Sequence, residues 1–375
     1  MNMNKRAAQF MSTVAVVLIA QVTVSTPSSA QTADSLYVGD AGDNTVKRFD
    51  LQGQSLGTFV KSTSGLRGPR GLVFNNGGDL IVSDQNVATS SNSDILEYDS
   101  TGRLLSRLVP HSDANAPVAS RGVILWQDPK SKQNFMFVAD FTTEPQASKP
   151  PTPGRLLQYK ADGTFVGSFV PDLPLNTCTV PPPTNTIPGE FHPRGIVLGS
   201  DGLLYISNYP CLASGLKGQV LRFDPKKGRF KDVFIDSSND LNRPEGLVFG
   251  PDGNLYITSF RSSATPQTVD NDKILVFQGP SGGSPGMFVN EIDLYTAVTP
   301  DRPRVYAQAL LFGPGGKLFV PISGGTDTAQ IGSVRRYDPS MGSHFDVFVP
   351  AGTVQAGWYL TFGQTNPSTL AYGSK

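Results

Sequence analysis

GLVFNNGGDLIVSD (71–84), GIVLGSDGLLYISN (195–208), GLVFGPDGNLYITS (246–259) and ALLFGPGGKLFVPI (309–322) are one phrase written four times. Each opens at Gly or Ala with a short apolar strand, passes through a Gly-rich turn, and continues into a second apolar strand that generally ends near Asp or Asn. Weaker copies are GVILWQDPKSKQNFMFVAD (122–140) and YLTFGQTNPSTLAY (359–372). Self-similarity at about 50 residues marks a repeat architecture, because one such unit cannot bury both of its faces alone.

Each phrase is followed by a third strand, as in TVKRFD (45–50), DILEYD (94–99), RLLQYK (155–160), QVLRFD (219–224), KILVFQ (273–278) and SVRRYD (333–338). Their alternation of apolar and polar positions is that of a half-buried strand. After a turn come fourth strands such as LLSRLV (104–109), FVGSFV (165–170) and FKDVFI (230–235). Four strands per unit make a propeller blade. Complete units span roughly 66–109, 119–170, 191–235, 241–292 and 305–349. A further blade is assembled from both ends: Tyr359 onward supplies its inner strand, and SLYVGD, TVKRFD and LGTFV supply the outer ones. The expected fold is all-β, a six-bladed β-propeller of four-stranded blades whose ring is closed by shared N- and C-terminal strands. Such closure leaves no open edge between first and last blades.

Residues 1–30 read as a signal peptide: Lys5 and Arg6, an apolar run around Val14–Ala20, then Ser28-Ser29-Ala30 as a small-residue cleavage site. The run is too short to span a bilayer. Cleavage after Ala30 leaves 31–375 as a single propeller domain that is secreted or periplasmic. It also takes the basic count from 31 to 29 against 31 acidic residues, so no global field draws the chain to nucleic acid or an anionic membrane. Gly and Pro sit at regular turn positions, which is turn chemistry rather than disorder. A monomer is expected.

The phrase P-x-G-(apolar)-V-F-x-x-x-G-x-L-Y-(I/V) resembles the six-bladed propellers of the NHL-repeat and SMP-30/gluconolactonase/luciferin-regenerating superfamily, and the secreted YVTN-type propellers. The resemblance covers nearly all of the chain after residue 30. It is specific for architecture, since one propeller scaffold carries many unrelated functions.

Propeller connectivity puts the fourth-to-first and second-to-third connections on one face. That face carries the long loops 141–153, 171–190, 209–217, 260–272 and 322–331, where binding on a rigid scaffold usually resides. Cys178 and Cys211 lie in two of them and, in an exported chain with no other cysteine, are expected to pair as a disulfide.

The residue before each inner-strand glycine should stand at the channel mouth. Around the ring it is Arg70, Arg121, Arg194, Glu245, Gln308 and Trp358, with His192 beside Arg194 in FHPRG. In SMP-30-like lactonases the matching positions include acidic and amide ligands of a divalent metal. Here Glu245 matches, Gln308 does so weakly, and three arginines stand where oxygen ligands would be needed. Arginines oppose a hard cation such as calcium and suit a carboxylate, sulfate or phosphate. They could equally form ion pairs with Glu245 or with nearby aspartates. A companion ring at the second-strand ends, Asp40, Asp84, Asp140, Asn208, Ser259 and Ile322, is read chiefly as acceptors for loop backbone.

Two functions from different classes follow. One is a non-catalytic propeller that binds an anionic small molecule, glycan or protein partner through the arginines and Trp358, with no cofactor. The other is a divergent lactonase-like hydrolase that holds calcium or a similar metal on Glu245, Asn208 and Asp140. Of the histidines, only His192 is placed at the channel, so a histidine zinc site is not expected. No GxSxG, HExxH, phosphate-loop or dinucleotide signature occurs in a matching context.

Overall fold

The computed structural model describes residues 34–86, 92–141, 154–172, 191–209, 217–236, 240–261, 270–294, 304–324 and 331–373. The proposed leader 1–30, Cys178 and Cys211 fall outside these residues, as do the interiors of the long loops.

Six four-stranded antiparallel sheets form the ring. From the inside outward, blade 1 is Gly357–Phe362, Leu36–Asp40, Thr45–Phe49 and Ser55–Val60, and blade 2 is Pro69–Phe74, Leu80–Asp84, Asp94–Tyr98 and Leu104–Val109. Blade 3 is Ser120–Gln127, Asn134–Asp140, Arg155–Lys160 and Phe165–Phe169; blade 4 is Pro193–Leu198, Leu204–Asn208, Gln219–Asp224 and Arg229–Ile235. Blade 5 is Arg243–Phe249, Leu255–Phe260, Lys273–Phe277 and Phe288–Asp293, and blade 6 is Leu311–Phe312, Leu318–Ile322, Ser333–Tyr337 and Phe345–Val349. Blade 1 is the closure expected from sequence: Leu36–Asp40 pairs antiparallel with Gly357–Phe362, Leu36 opposite Phe362 and Asp40 opposite Gly357.

The repeated phrase spells out how blades adhere. In four of the six blades the second strand begins with Leu-Tyr or Leu-Phe, and the aromatic ring meets the Phe that closes the first strand of the next blade. Tyr37 meets Phe74 at 4.8 Å between centroids; Tyr205–Phe249, Tyr256–Phe312 and Phe319–Phe362 each meet at 5.0 Å, all edge to face. Such pairs contribute about 0.5–1.5 kcal/mol each beyond their area burial. The inner-strand glycines serve the same packing. A Cβ on Gly71 would stand 2.7 Å from the Arg121 carbonyl oxygen, and one on Gly195 would stand 2.6 Å from that of Glu245. A side-chain relay locks this close approach. Gly71 N–H donates to Ser83 Oγ, which donates to the Arg121 carbonyl; Gly195, Ser207 and Glu245 repeat it two blades on.

The second-strand ends do what their position suggested. Asp40 accepts the backbone N–H of Gln355 and Ala356, Asp84 that of Arg67, Asp140 that of Ala119, Asn208 that of His192, and Ser259 that of Asn242. Each ties down the connection leading into the inner strand of its own blade. In blade 6 the position is Ile322, which has no side-chain acceptor.

Asp84 carries the electrostatic cost of this role. Burial pushes its carboxyl up to about 7, against the opposing effect of the Arg67 N–H. The folded state therefore holds its proton more tightly than the unfolded chain, where Asp titrates near ~3.9. Stability from this group is complete below that value and is lost as pH rises through about 7. Asp84→Asn should accordingly gain stability relative to wild type between about pH 4 and 7, by a few kcal/mol. Urea midpoints of the two proteins across that range check it; parallel pH profiles would refute the assignment.

Residues 363–373 cross the far ends of the inner strands. Pro367 and Ser368 accept, through their carbonyls, the N–H groups of Leu125 at 2.9 Å and Leu198 at 3.0 Å. Leu370 then lines, with Gly71, Gly122, Gly195, Gly246 and Ala309, an axial cavity of about 40 Å³.

Candidate anion site at the channel mouth

The inner strands begin at the opposite end of the channel, and their first residues bring six different blades to one place. Arg70, Arg121, Arg194, Glu245 and Gln308 are buried there, and Trp358 is half-buried. Burial of the first five arises because each precedes the glycine or alanine at which neighbouring strands press together.

Aromatic rings carry the guanidiniums. Arg70 Cζ lies 2.9 Å from the ring centroid of Trp358 and its Nε donates to Gln85 Oε1 at 2.5 Å. Arg194 Cζ stands 3.7 Å from the Phe141 ring centroid and 4.4 Å from that of Tyr209. Arg121 lies between them, 5.2 Å from Phe141 and 5.5 Å from Trp358. Cation–π contact in a desolvated setting contributes roughly 2 kcal/mol, well short of the cost of burying a charge.

Among the described residues, the ring holds one ion pair, Arg194 Nη1 to Glu245 Oε1, at 3.3 Å. Two of the three second-strand aspartates are committed elsewhere: Asp140 to Arg155 at 2.8 Å and Asp40 to Lys47 at 2.7 Å. Asp84 acts on Arg70 through space without an ion pair. Among the described residues, buried atoms without a hydrogen-bond partner therefore gather here: Arg70 Nη1, Arg121 Nε and Nη1, Arg194 Nε, Glu245 Oε2 and the Tyr359 hydroxyl. Burial, then repulsion from Arg121, drives Arg70 well below the usual guanidinium range. Burial and repulsion from Arg194 bring Arg121 down to about 10, and it stays charged at neutral pH. Burial and the Glu245 charge raise the Tyr359 phenol, keeping it a neutral donor.

The other sequence candidates sit around this centre. His192 is buried, with Nδ1 3.2 Å from the Tyr209 carbonyl oxygen and its ring 5.2 Å from Phe141, edge to face. Asn208 Oδ1 and Asp140 Oδ1 accept loop backbone N–H groups, and Asp140 Oδ2 pairs with Arg155. Among the described residues, no group of three His, Cys, Asp or Glu side chains is placed to hold a metal ion. Gln85, Phe141 and Tyr209 were not singled out in the sequence, yet each directly follows a second-strand end residue, Asp84, Asp140 and Asn208, so the repeat register itself would have found them. Tyr359 occupies the position that is Gly or Ala in the other five inner strands, and its side chain enters the channel lining.

Fold and site together define a six-bladed β-propeller with a basic, aromatic-walled channel mouth. No family model matches the chain, and no curated protein sequence does. Among solved structures, the fold is similar to a periplasmic gluconolactonase of Pseudomonas aeruginosa, with a TM-score of 0.51 at 19% identity, over 84% of this chain and 81% of that one. It is similar to a Bacteroides caccae protein of unknown function at 0.51 and 12%, over 88% and 98%. A gluconolactonase of Xanthomonas campestris follows at 0.45 and 16%, over 78% and 84%. At such identities the shared property is the propeller fold.

Proposed function

We propose that the chain is an exported propeller that recognises an anionic ligand, whether a small molecule or an acidic group of a glycan or protein, at the arginine-lined channel mouth. The observation that carries this reading is the set of buried guanidinium nitrogens on Arg70, Arg121 and Arg194 left without partners beside one ion-paired carboxylate, Glu245. A buried charge without a counter-charge is expensive, and an entering oxoanion supplies both charge and acceptors. Export rests on the reading of residues 1–30 as a signal peptide.

A second reading has a specific support: a solved propeller similar to this chain is a gluconolactonase. On that reading the site hydrolyses a lactone or ester, with a divalent cation on Glu245 and neighbouring oxygens activating water. The commitment of Asn208 and Asp140 to loop backbone weighs against it.

A thermal-shift series on EDTA-treated protein separates the two. A ligand that binds only the native state stabilises by about 2.7 kcal/mol at a hundred times its Kd. A rise with sulfate or carboxylates but not with calcium, magnesium or zinc is expected. A rise with metal alone would overturn the anion reading and direct assays to lactones.

A further inference from the structure

Resting on that reading, we infer that the ligand of this site is a small dianion, a dicarboxylate or a phosphate or sulfate group. The charge count points to it. Three guanidiniums, each more than nine-tenths buried, face one ion-paired carboxylate: Arg70 is 3% exposed, Arg121 7%, Arg194 7% and Glu245 2%. Asp84, which acts on Arg70 through space, is held protonated by burial up to about pH 7 and adds no negative charge below that value. Glu245 pairs with Arg194 through Oε1 only. It acts on Arg70 and Arg121 through space, and on both its effect is smaller than the repulsion from another arginine. The cluster thus retains two positive charges in a poorly solvated setting, where each uncompensated charge is costly. A monoanion leaves one of them unmatched; a dianion cancels both.

Donor placement agrees with the count. The partnerless nitrogens are spread over blades 2, 3 and 4, at Arg70 Nη1, Arg121 Nε and Nη1, and Arg194 Nε. A ligand with several acceptor oxygens spread over two groups or a tetrahedral centre reaches donors on three blades more readily than a lone halide or the two oxygens of one carboxylate. Tyr359 adds a hydroxyl donor beside them. The aromatic walls, Trp358 under Arg70 and Phe141 and Tyr209 under Arg194, fix the planes of these guanidiniums before the ligand arrives. Such preorganisation lowers the ordering cost of binding. The axial cavity beneath, at about 40 Å³, has no room for a long tail, so the dianion is compact or extends outward toward the loop face.

Isothermal titration of the purified chain with succinate, sulfate, inorganic phosphate and acetate, at matched ionic strength in a chloride buffer, tests this. At least one dianion should bind roughly tenfold tighter than acetate or more, the tenfold step corresponding to about 1.4 kcal/mol. Succinate alone would mark a dicarboxylate site; sulfate and phosphate would mark a tetrahedral one. In Arg121→Met the preference should collapse to near parity, whereas Arg121→Lys should keep it. If Arg121→Met does not fold, Arg70→Gln makes the same one-charge change. Equal affinity for acetate and every dianion in the wild type would overturn the dianion inference while leaving anion recognition standing. Absence of binding by all four would overturn both.

Discussion

A chain ending at Val349 should lose its cooperative unfolding transition. The deletion removes the whole inner strand of blade 1, including the fully buried Phe362 and its 5.0 Å contact with Phe319, and leaves Leu36–Asp40 without the partner on its inner side. It also removes the Gln355 and Ala356 N–H groups that satisfy the buried Asp40. Two blades would then face each other across a gap lined with unpaired backbone and exposed apolar rings. Fully burying one large apolar side chain contributes about 1.5–3 kcal/mol, and a lost strand removes several such terms from a total stability of about 5–15 kcal/mol. Circular-dichroism melts of the two chains check this; a truncated protein that melts like the full one would show that the ring does not depend on its shared blade.

The second large effect is a pair of opposite signs inside one cluster. Glu245→Gln should destabilise the ligand-free protein by about 3–5 kcal/mol, because it leaves Arg194 buried beside two other guanidiniums without a counter-charge. Arg121→Met should stabilise the ligand-free protein by about 1 kcal/mol or more, since it removes a buried cation that makes no ion pair, keeps much of the side-chain volume, and relieves repulsion on both neighbours. The same change should reduce the thermal shift produced by sulfate to about that produced by acetate. Urea titrations of both variants, with and without sulfate, provide the readout. A destabilising Arg121→Met would mean that this arginine acts as a structural ion-pair member within the ring, and the ligand reading would lose its main support.

The ring closure and the blade count were legible because the sequence repeats the residues that perform the packing. The Phe closing one strand and the Tyr or Phe opening the next are the interblade contact itself, so finding the phrase is finding the interface. The arginine ring was legible for a related reason, since the position before the glycine recurs in every blade. What that position does not specify is how charge is distributed once side chains turn. That Arg194 takes Glu245, that Asp140 takes Arg155, and that Arg121 takes neither depend on rotamers and on residues far apart in sequence. Phe141 and Tyr209 escaped notice because they stand where the repeat ends and loops begin, a place where aromatic residues read as ordinary loop composition. Tyr359 escaped because a departure from glycine looks like decay of the repeat, although a phenol in that position reaches into the channel.

Leu370 and its flanking tail give the molecule a floor. On the anion reading, a ligand that enters between the arginines has to leave by the same mouth, because Leu370 and the tail close the other end: the channel is a well rather than a conduit, and successive ligands would take turns.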